Sequence, residues 1–137
     1  MSYFKLKTHT MGRRYEEPHF FMLNKGNNAG KPLKEACPNC FVVCTSELNN
    51  LNKLYWLTYS LWKTKRYEVL LKGSVIPFLT IDEAKKLLLH SSKNLEVSRV
   101  EKVVEALRQV EALERQQRAK EKLFQELKTS LLKELVS

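Results

Sequence analysis

The sequence predicts an α+β protein: a small mixed sheet domain with packed helices, followed by one long C-terminal helix of coiled-coil type. Three observations lead there. Short apolar runs bounded by turn residues, such as "HFFMLNKG" at 19–26 and "CFVVCT" at 40–45, read as strands. The stretch "ELNNLNKLYWLTYSLWKT" at 47–64 carries Leu48, Leu51, Leu54, Tyr55, Leu61 and Trp62 at helical spacing. Residues 97–137 contain no Gly, no Pro and a single aromatic, Phe124, and are rich in Glu, Lys, Leu, Arg, Gln and Val. The chain of 137 residues therefore divides into a globular part at 1–96 and a helix at 97–137.

In order along the chain, "YFKLK" at 3–7 alternates and predicts a first strand. "HFFMLNKG" predicts a second, running into the loop "NKGNNAGKP" at 24–32, where Gly, Asn and Pro each favour turns for a separate backbone reason. "CFVVCT" predicts a buried strand, and 47–64 an amphipathic helix. "YEVLLKG" at 67–73 and "VIPFL" at 75–79 predict two strands either side of Gly73-Ser74, the second held to an edge by Pro77. Thr80-Ile81-Asp82-Glu83 has capping-box spacing and opens a helix to about Leu89. Ser98-Arg99-Val100-Glu101 has the same spacing and opens the last helix.

That last helix would be roughly 58 Å long. An apolar seam with 3,4 spacing includes Val103, Val110, Leu113, Phe124, Leu127 and Leu131, broken by the polar centre "ERQQRAKEK" at 114–122. Such a rod either folds back on its own domain or, as expected here, pairs with another helix in a second copy or another protein. Two apolar ends around a polar middle suit an antiparallel pair.

Charge narrows the function classes. Lys and Arg total 24 against 15 Asp and Glu, a net charge of +9, which favours polyanionic partners, nucleic acid first and an anionic membrane surface second. No stretch approaches the ~20 apolar residues of a membrane span. The N-terminus lacks an apolar leader, so a cytoplasmic chain with no membrane partner is expected. The three cysteines, Cys37, Cys40 and Cys44, are an odd number and argue against a disulfide framework.

Cys37-Pro38-Asn39-Cys40 is a single CxxC, whereas structural zinc takes four ligands, usually as two pairs. His19 would complete a set only if strand 19–24 lay beside strand 40–44, and no metal is expected. No HExxH, GxSxG, Walker loop or GxGxxG occurs, and Asp82 and Glu83 belong to a helix N-terminus. No catalytic centre and no cofactor are expected.

Basic residues instead gather in loops, interleaved with amides and aromatics: Arg13 and Arg14; Lys25, Lys31 and Lys34; Lys63, Lys65, Arg66 and Lys72, all but Lys63 expected as phosphate contacts. Cations on loops neutralise phosphates, and Asn27 and Asn28 are suited to base edges.

The order of elements over 48–136 resembles the type I restriction–modification specificity subunits, whose target recognition domains are each followed by a long helix. The residues that carry it are "LNKLYWLTYSLWKT", "YEVLLKGSVIPFLTIDEAKKLLL" and the spacer-like "VSRVEKVVEALRQVEALERQQRAKEKLFQELKTSLLKEL". "NKGNNAGKP" stands where that family has a loop near its DNA-facing side. The Pro-x-Pro and Gln that precede the family's spacer are replaced by "HSSKNLEV", and one unit stands where the family carries two. The resemblance implies a half-subunit that reads double-stranded DNA as a helix-paired homodimer or beside a methyltransferase-type partner. It also implies that Gly73 allows a tight turn and that Lys72 and Ser74 touch a phosphate. The alternative is a protein–protein adaptor that kept the architecture and lost DNA reading.

Overall fold

The computed structural model describes residues 4–137, so Tyr3 of the predicted first strand lies outside it. The chain divides into two compact units, one ending at Val100 and the other running from Glu101 to Ser137.

The first unit is built on a four-stranded antiparallel sheet: β1 (Lys5–Thr8), β2 (His19–Leu23), β3 (Pro32–Leu33) and β4 (Cys40–Cys44), in the order β1-β4-β2-β3. The register pairs Lys5 with Cys44 across β1 and β4, and His19 with Cys44 across β2 and β4. Strands β2 and β4 are central, which explains why all five residues of β4 are buried. Strand β3 was not anticipated. Its Pro32, which has no N–H to donate, is tolerated because the strand is an edge.

Strand alternation sends Phe20 and Met22 of β2, Phe41 and Val43 of β4, and Leu6 of β1 to one face. There they meet Leu54 and Leu61 of helix α1 (Leu48–Lys63) and Ala84 and Leu88 of helix α2 (Ile81–Ser92). Leu48, expected in the apolar stripe of α1, is instead 71% exposed at the helix start. The other face carries Phe21, Cys40, Val42 and Cys44, covered by Tyr15, Leu33 and Cys37.

Helix α2 opens as its sequence predicts. The Thr80 hydroxyl accepts from the Glu83 amide at 3.4 Å. It runs to Ser92, beyond the expected end near Leu89.

The two strands predicted around Gly73-Ser74 are not strands. Residues Glu68–Leu70 form a 3-10 turn, and between the two segments only Lys72 and Phe78 pair, in an isolated bridge. The physical reason is the burial order. Tyr67 is fully buried, Val69 is 82% exposed, and Leu70 and Leu71 are both half-buried, which is not a period of two.

The second unit consists of the helix α3 (Val97–Lys133) from Glu101 onward and a closing turn. The helix starts one residue before Ser98, with the Val100 amide bonded to the Glu96 carbonyl at 3.2 Å. Ser98 therefore lies inside the first turn and is not the cap that the spacing suggested. Within this unit the seam residues Val103, Val110, Leu113, Phe124, Leu127 and Leu131 are exposed.

Candidate nucleic-acid interface

Three segments converge on one surface: the β2–β3 loop, the end of α1 with the turn after it, and the 72–78 hairpin. The loop's conformation follows from its glycines. Gly30 sits at φ +100° with Tyr67 so close that a Cβ would lie 2.3 Å from the Tyr67 ring, so only glycine fits. This contact pins the loop to the segment that follows α1.

Helix α1 ends in a Schellman arrangement. The Arg66 amide bonds to the Leu61 carbonyl at 2.8 Å and the Lys65 amide to the Trp62 carbonyl at 3.0 Å. The left-handed position that such an end requires is taken by Lys65, at φ +62°, and no other described non-glycine residue has a positive φ. Glycine is the usual occupant, because a side chain there crowds the backbone.

Asn27, Asn28 and Ala29 of the loop face Trp62, Lys63, Lys65 and Glu68 across an open cleft of about 320 Å³. The Trp62 ring is a cation platform: Lys31 Nζ lies 5.3 Å and Lys63 Nζ 5.2 Å from its centroid. Trp62 also ends a ladder of edge-to-face rings along α1, through Tyr59 at 5.6 Å and from there to Trp56 at 5.5 Å. Trp62 was missing from the residues that the sequence marked for binding, and Lys63 stood in the basic cluster but not among the expected contacts. The signal was an aromatic one residue before the helix end, followed by a run of cations.

The hairpin is joined to the same loop. The Gly26 amide donates to the Pro77 carbonyl at 2.7 Å, and the Leu79 amide to the Asn24 carbonyl at 2.9 Å. Phe78 bridges Lys72 on one side and Lys25 on the other. Bridge partners share a face, so Lys25, Phe78 and Lys72 lie on one face of the backbone row. The surface thus collects Lys25, Asn27, Asn28, Lys31, Lys65 and Lys72 of the predicted contacts. Arg66 is exposed in the turn after α1, Ser74 in the hairpin loop and Lys34 just beyond β3.

Arg13 and Arg14 are not part of it. They line a separate cleft of about 230 Å³ with Lys5 and Lys7 of β1, the edge strand opposite β3, together with Tyr15, Glu16, Glu17 and Cys44. Lys5 is 3.5 Å from Glu17, so carboxylates neutralise part of that second basic patch.

Strand β2 does lie beside β4, with His19 opposite Cys44. Even so, no three His, Cys, Asp or Glu among the described residues are grouped to hold a metal ion. His19 Nδ1 is instead engaged with the Glu17 carbonyl at 2.8 Å, and His9 Nδ1 with the Tyr15 hydroxyl at 2.9 Å. The Cys40 thiol donates to the Cys37 carbonyl at 3.1 Å. Burial pushes the Cys40 and Cys44 thiols up from their ordinary range, which disfavours thiolate chemistry there. No described helix is long and apolar enough to cross a membrane.

A family model described as "Family of unknown function (DUF6943)" matches residues 6–134, and the chain belongs to that family. No curated protein and no solved structure matches the chain.

Proposed function

We propose that this member of a family of unknown function is a non-enzymatic module that recognises double-stranded DNA, and that it acts as a dimer paired through α3. The observation that carries the reading is the gathering of Asn27 and Asn28 with Lys63 and Lys65 around Trp62, with Lys31 over the same ring. Lysines supply phosphate contacts that fix register, and neighbouring amides supply donor–acceptor pairs for base edges. Glu68 is the one carboxylate lining that cleft, whereas the Arg13–Arg14 cleft has two. The primary contact surface is therefore the loop, the α1 end and the hairpin. Arg13 and Arg14 add a second, weaker patch. The resemblance to half of a restriction–modification specificity subunit agrees with this reading and supplies the candidate partner class.

The test is a salt titration of duplex binding. Affinity falls at least tenfold between ~50 and ~200 mM salt if several phosphates are neutralised, and replacing Lys31, Lys63 and Lys65 by Ala flattens the slope by up to about three charges. Failure of the full chain to retard any duplex at 50 mM salt would leave the adaptor reading, for which the exposed seam of α3 is the relevant surface.

A further inference from the structure

The hairpin at 72–78 carries a feature that charge does not explain. The Lys72 amide donates to the Phe78 carbonyl at 2.9 Å and the Phe78 amide to the Lys72 carbonyl at 2.8 Å, closing a five-residue loop. Two further backbone bonds, from Gly26 to Pro77 and from Leu79 to Asn24, clamp it from the other side. Gly73 is required at its bend, since at φ +93° an added Cβ would lie 3.0 Å from the Ile76 carbonyl oxygen. The loop so held exposes Val75 at 90% and Ile76 at 65%, with the Lys25–Phe78–Lys72 row at its base. The turn is thus held by backbone bonds, depends on glycine, and presents two aliphatic side chains to water above a base that carries Lys25 and Lys72.

We infer that this hairpin is a wedge whose Val75 and Ile76 enter a base step of the duplex while Lys25 and Lys72 hold the flanking phosphates. The inference rests on the DNA reading above. Aliphatic wedges that part a base step are a general device of proteins that bend DNA, and they act beside phosphate-binding cations. The competing occupant is an anionic membrane. DNA is favoured because the adjoining loop carries exposed Asn27 and Asn28, which suit base edges. Two aliphatic side chains are also fewer than stable membrane anchoring takes.

The experiment uses the full chain and a duplex containing 2-aminopurine beside a TA step, which parts easily. Binding is read by anisotropy and unstacking by the rise in 2-aminopurine fluorescence. The native chain is expected to bind and brighten the probe. The variant Val75→Ser with Ile76→Ser, both exposed, is expected to keep the salt slope, lose the brightening and bind about tenfold more weakly. Lys25→Ala with Lys72→Ala is expected to reduce the slope. Binding by both chains with equal affinity and no brightening overturns the wedge and leaves the DNA reading standing. Absence of binding to any duplex overturns both. Vesicles containing phosphatidylserine provide the last arm: binding to them that depends on Val75 and Ile76, with none to duplex, overturns the wedge in favour of membrane insertion.

Discussion

At the scale of single residues, Lys65 and Tyr67 show where the fold accepts a cost. Lys65 holds a left-handed conformation that glycine would hold without strain, at the rim of the Asn27–Asn28 cleft. Strain of this kind persists where a side chain is needed for something other than the fold. Lys65→Gly is therefore expected to raise unfolding stability by ~0.5–1 kcal/mol in urea. The same variant is expected to lower duplex affinity severalfold at low salt, the opposite sign in the two assays. Equal or better binding by the variant would remove Lys65 from the interface. Tyr67 is fully buried, and neither its hydroxyl nor that of Thr58 has a hydrogen-bond partner among the described residues. Burial pushes the phenol well above its ordinary value, and the Thr58 hydroxyl offsets part of this without reaching hydrogen-bond geometry. The folded chain thus keeps this proton where the unfolded chain releases it. The associated stability is complete below about pH 10 and is lost as pH rises, at up to ~1.4 kcal/mol per pH unit. Tyr67→Phe should unfold within about 1 kcal/mol of the native chain at pH 7. Its stability should then fall less steeply than the native chain's between pH 10 and 11. The raised Cys40 and Cys44 thiols act in the same direction in both proteins.

At the scale of elements, what the sequence revealed and what it hid divide along one line. Helix α1 was legible because Leu51, Leu54 and Leu61 fall on one face, and α2 because Thr80 and Asp82-Glu83 mark its start. Strands β2 and β4 were legible as apolar runs, since central strands are buried on both faces. The segment 67–79 was misread because an apolar run alone does not distinguish a strand from a chain pinned at alternate points. Here Tyr67 is anchored under Gly30, Leu79 is held by Asn24, and Val69, Val75 and Ile76 are left in water. Those anchors are long-range, and no local pattern encodes them. The candidate surface has the same history. Lys25, Asn27, Asn28, Lys31 and Lys65 were visible as a basic, amide-rich set, but their separation from Arg13 and Arg14 depends on β1 and β3 being opposite sheet edges. Trp62 became a platform only because the loop brings Lys31 over its ring.

At the scale of the whole molecule, the open question is what covers the seam of α3. Written as heptads, the seam places Val103, Val110, Gln117, Phe124 and Leu131 at one core position and Ala106, Leu113, Lys120 and Leu127 at the other. A parallel pair of copies would bring Lys120 against Lys120, a like-charge layer in the core. An antiparallel pair avoids it: with Gln117 of one protomer opposite Lys120 of its partner, Leu113 meets Phe124, Val110 meets Leu127 and Ala106 meets Leu131. If two copies pair through this seam, the pattern favours the antiparallel direction. A basic domain precedes each helix, so this pair would present two copies of the interface related by a two-fold axis, suited to a two-part, roughly symmetric target. Sedimentation of the native chain should report a dimer. Phe124→Asp with Leu127→Asp puts charge against Leu113 and Val110 of the partner, and should raise the dissociation constant at least ~100-fold, the equivalent of losing two buried apolar side chains. Direction is read by oxidation. A chain carrying both Leu113→Cys and Phe124→Cys should cross-link between protomers in the antiparallel register, whereas a chain carrying either one alone should not. Cross-linking by the single Leu113→Cys variant would mean a parallel pair, and a native chain that sediments as a monomer would mean that the seam waits for a different protein.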